Sequence, residues 1–175
     1  MFLRLATCNL ACSWCDTKYT WDWQNFNYQT EVVELGPEIV QQKIQAYNCS
    51  HVVITGGEPM LQQEELQPLV ESLATEGYTF EVETNGTIPP TPGMLRHIGQ
   101  WNVSPKLRTS GNQLLETQNP LALQTFAALP DAYFKFVIAV ESDVDEVCTL
   151  RDQYDLAPQR ILLMPEGRTL DALAR

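Results

Sequence analysis

The chain has 175 residues, enough for one sizeable hydrophobic core, and its hydrophobic content of 44% is that of a globular protein. Its 22 acidic residues outnumber 11 basic ones, for a formal net charge of −11, which excludes a nucleic-acid or anionic-membrane binder and favours a small-molecule or electron-donor partner. No apolar run approaches a membrane span, and residues 1–7 are too short for a secretory leader, so the cytoplasm is the expected compartment.

In chain order, the first apolar run, Phe2–Ala6, reads as a strand and leads directly into Cys8–Cys15. The stretch Tyr19–Tyr28 then carries five aromatics without a clean period. It reads as packing against the sheet or a second copy, with a lid over a ligand or a docking face for a flavodoxin as the alternatives. Pro37 suits a first helical residue, and Val40, Ile44 and Tyr47 line one face behind it. Val52–Thr55 is the second strand, followed by Gly56-Gly57-Glu58-Pro59. Leu66, Leu69, Val70 and Leu73 predict a second helix ending before Gly77.

Thr79–Glu83 is the third strand and runs into Glu83-Thr84-Asn85-Gly86-Thr87, in which Thr84 is a weak candidate for facing a site. A helix is expected near Met94–Ile98, a fourth strand at Trp101–Val103, and a turn at Ser104-Pro105-Lys106. Helical stretches at Leu121–Leu129 and Val144–Tyr154 flank a fifth strand, Tyr133–Val140, with its own polar loop Glu141-Ser142-Asp143. Ile161–Met164 is the sixth strand, ahead of Pro165-Glu166-Gly167, and about two turns of helix fit in Thr169–Arg175. Strand alternating with helix predicts an α/β chain of about six mostly parallel strands, either an open doubly wound sheet or a partial (β/α) barrel. In both, ligands gather at the carboxyl ends of the strands, where these polar motifs fall.

Three of the five cysteines lie within eight residues as C-x3-C-x2-C: Cys8, Cys12 and Cys15. In a reducing compartment that clustering points to metal rather than disulfides. Zinc would ask for four ligands, and no second pair is near, while His51 and His97 stand isolated. Thiolates also hold iron–sulfur clusters, and three of them would leave one iron open to a cofactor. Cys49 and Cys148 read as small buried hydrophobes.

C-x3-C-x2-C after a first strand, with Gly56-Gly57-Glu58-Pro59 after the second, resembles the radical S-adenosylmethionine (SAM) superfamily. Cys15-Asp16-Thr17, Arg4-Leu5-Ala6 and Ser104-Pro105-Lys106 narrow the resemblance to the 7-carboxy-7-deazaguanine synthases. The resemblance implies a single radical SAM core domain over 1–175 in the form of a partial barrel, and a [4Fe–4S] cluster on Cys8, Cys12 and Cys15. It implies SAM contacts from Trp14, Cys15, Asp16, Gly57, Glu58, Ser104, Pro105 and Lys106, Mg²⁺ at Thr17, and substrate contacts from Arg4 and Thr55. The implied activity is a carbon–nitrogen lyase contracting 6-carboxy-5,6,7,8-tetrahydropterin to 7-carboxy-7-deazaguanine with loss of ammonia, on the route to 7-deazapurines including queuosine in tRNA.

The same resemblance implies a homodimer and a flavodoxin or ferredoxin-type reductant. Relative to the family's pattern, a strand with a Gly-Glu-Gly loop is expected ahead of Met1, and a helix and tail after Arg175. A glycyl-radical activase is the nearest alternative enzyme, but Asp16-Thr17 replaces the continuation it favours. A non-catalytic iron–sulfur module is the other alternative, though it would usually bring a fourth cysteine.

Overall fold

The structure, a computed structural model, describes residues 1–167 and 169. Its strands are β1 (Phe2–Leu5), β2 (His51–Gly56), β3 (Thr79–Thr84), β4 (Ile98–Val103), β5 (Ala132–Ile138) and β6 (Ile161–Pro165). Its helices are α1 (Tyr28–Glu31), α2 (Pro37–Gln45), α3 (Gln63–Thr75), α4 (Pro92–His97), α5 (Leu114–Thr117), α6 (Pro120–Ala127) and α7 (Ser142–Tyr154). The strands join one sheet in chain order, β1 to β6, without closing on itself. The pairs β1–β2, β2–β3 and β5–β6 run parallel, as the helices inserted between them require. This is the α/β, partial-barrel arrangement expected of the sequence.

The chain divides into two compact units. In the first, β2 and β3 bury Val52, Ile54, Phe80 and Val82 almost completely, with Thr55 and Thr84 buried at their carboxyl ends. Leu66, Leu69, Val70 and Leu73 form the buried stripe of α3, as their spacing predicts. Gln41 of α2 donates to Ser72 (3.1 Å) and Glu76 (3.0 Å), which fixes α2 alongside α3. Thr91 caps α4 through its hydroxyl, which accepts from the Met94 N–H at 3.3 Å.

In the second unit, Phe134 and Phe136 of β5 are enclosed with Phe126 of α6 and Val147 and Leu150 of α7. Arg160 donates to the carbonyls of Ala127 (3.0 Å), Leu129 and Ala132 (3.4 Å), closing the turn that follows α6. Asp143, buried in the first turn of α7, accepts from the N–H groups of Ala139 (2.8 Å) and Val140 (3.2 Å) and from the Thr109 hydroxyl (3.0 Å). The Glu141-Ser142-Asp143 loop is therefore occupied with backbone satisfaction at the end of β5.

Four details depart from expectation. Ile98 opens β4 rather than ending a helix, because its N–H caps Met94 O and the chain extends at once. Tyr47 is exposed beyond α2, where Ala46 and Tyr47 tighten the last turn onto Gln42 and Ile44. Cys49 is exposed in the following turn, its thiol donating to His51 O at 3.3 Å, and Cys148 is half-buried, so neither is a core residue. The four-residue helices α1 and α5 carry too few apolar positions to show a period. The helix expected in Thr169–Arg175 lies, beyond Thr169, outside the described residues.

Candidate functional site

In the first unit, the end of β1 is clamped by the loop after β2. Gly57 N–H donates to Leu5 O (3.0 Å) and Glu58 N–H to Thr7 O (2.8 Å). Gln62 Nε2 donates to Ala6 O at 2.8 Å, and Thr7 N–H to Thr20 O at 2.6 Å. Held this way, Thr7 takes a left-handed conformation, φ 73°, which turns the chain into Cys8. Gly57 is needed for the close approach: a Cβ there would stand 1.9 Å from Thr7 O and 3.0 Å from Cys8 Cβ.

Glu58 is wholly buried, and its Oε1 accepts from Met60 N–H (3.0 Å) and Thr84 Oγ1 (2.7 Å). Thr84 thus reaches the Gly-Gly-Glu-Pro loop from the end of β3. Arg4 and Thr55 face each other in the β1–β2 register. Thr55 is buried and spends its hydroxyl on Glu83 Oε2 at 2.8 Å, whereas Arg4 is exposed. Arg4 lines a cavity of about 690 Å³ with Thr7, Tyr19, Tyr28, Val32 and Gln62. In the aromatic segment all five rings are half-buried, Tyr19 edge-on to Phe26 and Trp23 edge-on to Tyr28. Asp16 is exposed in a bend, and Thr17 takes the N-cap position of a 3-10 turn at Lys18–Thr20 without using its hydroxyl as a cap.

In the second unit, Cys15 N–H donates to Cys12 O at 3.2 Å, folding Cys12–Cys15 into a turn. Cys12 is buried, and burial pushes its thiol up in pKa against the opposing pull of the Lys106 ammonium and a hydrogen bond from Asn112. Lys106 donates to Ser104 Oγ at 2.8 Å and sits 5.5 Å from the centroid of the Trp14 ring, a cation–π distance. The Trp14 indole N–H is buried without an acceptor, an unsatisfied donor of the kind a ligand atom meets. Pro105 is buried beneath this turn.

The first unit thus gathers Cys8, Gly57, Glu58 and Thr84, and the second gathers Cys12, Cys15, Trp14, Ser104 and Lys106. All five cysteines are thiols. Among the described residues no three His, Cys, Asp or Glu side chains converge on the space of a single ion. A cubane, which takes each thiolate at a different iron corner, asks for no such convergence, and three soft thiolates on one eight-residue loop suit it. Sequence reading passed over Asn112 and Gln62, and noted Glu83 only as the head of the polar motif after the third strand. A Ser-Gly-Asn stretch is the one local signal at Asn112, and nothing marks Gln62.

Residues 4–104 match the model of the radical SAM superfamily. The chain is 40% identical over 167 residues to the 7-carboxy-7-deazaguanine synthase of Pyrobaculum aerophilum, covering 94% of this chain and 69% of that protein. It belongs to the 7-carboxy-7-deazaguanine synthase family of radical SAM lyases. The synthase of Hyperthermus butylicus is 37% identical over 94% of this chain and 68% of its own length. Among solved structures, the crystal structure of QueE from Escherichia coli superposes with a TM-score of 0.67 at 28% identity, covering 98% of this chain and 76% of that one. A structure of TYW1 with a lysine-pyruvate adduct shares the fold, with a TM-score of 0.62 at 18% identity over 94% of this chain and 63% of that one.

As a radical SAM family member the chain works with SAM and a [4Fe–4S] cluster. The superfamily match takes in Cys8, Cys12, Cys15, Gly57, Glu58 and Ser104 and stops short of Pro105 and Lys106.

Proposed function

We propose that this chain contracts 6-carboxy-5,6,7,8-tetrahydropterin to 7-carboxy-7-deazaguanine with release of ammonia. The observation that carries the reading is the 40% identity to a 7-carboxy-7-deazaguanine synthase across 94% of the chain. When bound, the cluster and SAM supply the one-electron and hydrogen-abstraction chemistry, and the protein's part is to bind, orient and exclude water.

Cys8, Cys12 and Cys15 hold the cluster, in a single domain spanning 1–175. The clamp of Gly57 and Glu58 on Thr7 supports a fixed place for Cys8. Glu58, buried and anchored by Met60 and Thr84, presents a carboxylate to the amino group of SAM. Trp14, Cys15, Asp16, Gly57, Ser104, Pro105 and Lys106 complete the SAM contacts, a reading supported by the unsatisfied Trp14 indole beside Lys106. Arg4 offers a forked cation to the pterin carboxylate, supported by its place in the wall of a cavity of drug-like size, about 690 Å³. Thr55 is the other substrate contact, supported by its place beside Arg4 in the β1–β2 register. Thr17 brings a hard oxygen to Mg²⁺, which keeps most of its waters.

The electron comes from a flavodoxin or ferredoxin-type donor. The chain acts as a cytoplasmic homodimer. Thiols without disulfides support the compartment. No described helix is long and apolar enough to cross a membrane.

The test is anaerobic reconstitution with iron and sulfide, then incubation with SAM, dithionite, Mg²⁺ and carboxytetrahydropterin. Deazapurine and 5′-deoxyadenosine in the product mixture are expected. 5′-Deoxyadenosine without the deazapurine would overturn the substrate and leave the radical SAM chemistry standing.

A further inference from the structure

A carboxamide a hundred positions along the chain from Cys12 holds that cysteine's sulfur. Asn112 Oδ1 accepts from the Ala11 N–H at 2.8 Å, and Nδ2 donates to Cys12 Sγ at 3.2 Å and to Ser110 Oγ at 3.1 Å. The orientation of the amide is not arbitrary. A backbone N–H can only donate, so the oxygen must face Ala11, and the NH₂ is left facing the sulfur. A second strut lies on the other side of Cys12, where Ser13 N–H donates to Ser110 O at 2.9 Å. Gly111, at φ 84°, turns the chain so that residues 110 and 112 both reach the loop.

We propose that Asn112 is a positioning residue for the iron–sulfur cluster: its side-chain amide fixes the Cys12 sulfur and raises the potential at which the cluster takes up an electron. The proposal rests on the cluster being held by Cys8, Cys12 and Cys15. A thiolate that accepts an N–H bond gives less electron density to its iron. Reduction adds negative charge to the cluster, so the donor favours the reduced state, one of the outer-shell levers on iron–sulfur potentials. Cys12 is only 6% exposed, so little water is present to replace the lost donor.

Asn112→Asp separates the two jobs of the side chain. It keeps an oxygen for Ala11 N–H and removes the donor to sulfur, while Asn112→Ala removes both. Each variant is reconstituted anaerobically, assayed for iron and sulfide, and titrated against potential with the reduced cluster followed by electron paramagnetic resonance. Loss of one such bond is expected to lower the reduced-to-oxidised ratio at fixed potential roughly tenfold, which is about 59 mV for one electron. In Asn112→Asp the added charge enlarges the fall. Poor iron loading in Asn112→Ala with good loading in Asn112→Asp also supports the proposal, since only the aspartate retains the strut to Ala11. A cluster in Asn112→Asp that titrates at the parent potential overturns it. If the parent chain itself assembles no cluster, the ligand assignment beneath the proposal fails instead.

Discussion

Replacing Gly57 by Ala tests the clamp that sets Cys8. The new methyl carbon would stand 1.9 Å from Thr7 O and 2.5 Å from Thr7 C, both backbone atoms that cannot swing aside as a side chain does. Relief requires the loop after β2 to back away from β1. That move opens the bonds from Gly57 N–H to Leu5 O (3.0 Å) and from Glu58 N–H to Thr7 O (2.8 Å). Each bond is worth about 0.5–1.5 kcal/mol net, and overpacking costs about 1–3 kcal/mol more. The sum is roughly 2–6 kcal/mol, which for a chain of this size lowers the melting temperature by roughly 4–24 °C.

Circular-dichroism melts of the cluster-free Gly57→Ala chain should show that fall. Iron bound after reconstitution should drop below the parent's even at temperatures where the variant is folded, because Cys8 has lost its fixed approach. A variant that melts within about 2 °C of the parent and binds full iron would refute the reasoning.

Four further outcomes are expected. Cys12→Ala should abolish the visible absorbance of the cluster and all SAM cleavage, since two thiolates do not hold a cubane; retained iron and 5′-deoxyadenosine would remove Cys12 from the ligand set. Glu58→Gln should weaken SAM binding about 10- to 100-fold, measured by calorimetry on the reconstituted chain, because it replaces a charge-assisted bond to an ammonium with a neutral one. Thr17→Ala should raise the Mg²⁺ concentration needed for half-maximal product formation while leaving iron content unchanged; an unaltered Mg²⁺ response would return Thr17 to a turn role. Arg160→Met should leave the carbonyls of Ala127, Leu129 and Ala132 without their side-chain donor, costing about 1–3 kcal/mol and a visible fall in melting temperature with the cluster motif untouched.

The strands were legible because each is a short run of β-branched, aromatic or leucine residues ending in a polar break, and α3 because four apolar residues keep one face for about two turns. The boundary at Ile98 was not, since β4 begins with no connecting residue after α4 and a β-branched residue fits either state. Tyr47 was read as interior from the spacing of Val40 and Ile44 and Cys49 from residue type, and both lie where α2 has already ended. At the site, the cysteine spacing and Gly-Gly-Glu-Pro are local in sequence and could be read. The Glu83 bond to Thr55 and the Asn112 bond to Cys12 join positions 28 and 100 residues apart. Asparagine in a glycine turn looks the same whether it serves the turn or a distant sulfur.

The clamp on Thr7 also bears on the order in which the chain takes shape. Residues 57, 58 and 62 come well after Cys8 in the chain, yet their bonds fix the backbone from which Cys8 departs. A nascent chain that has exposed only its cysteine loop lacks that support, and Cys8 takes its described position only once β2 lies beside β1.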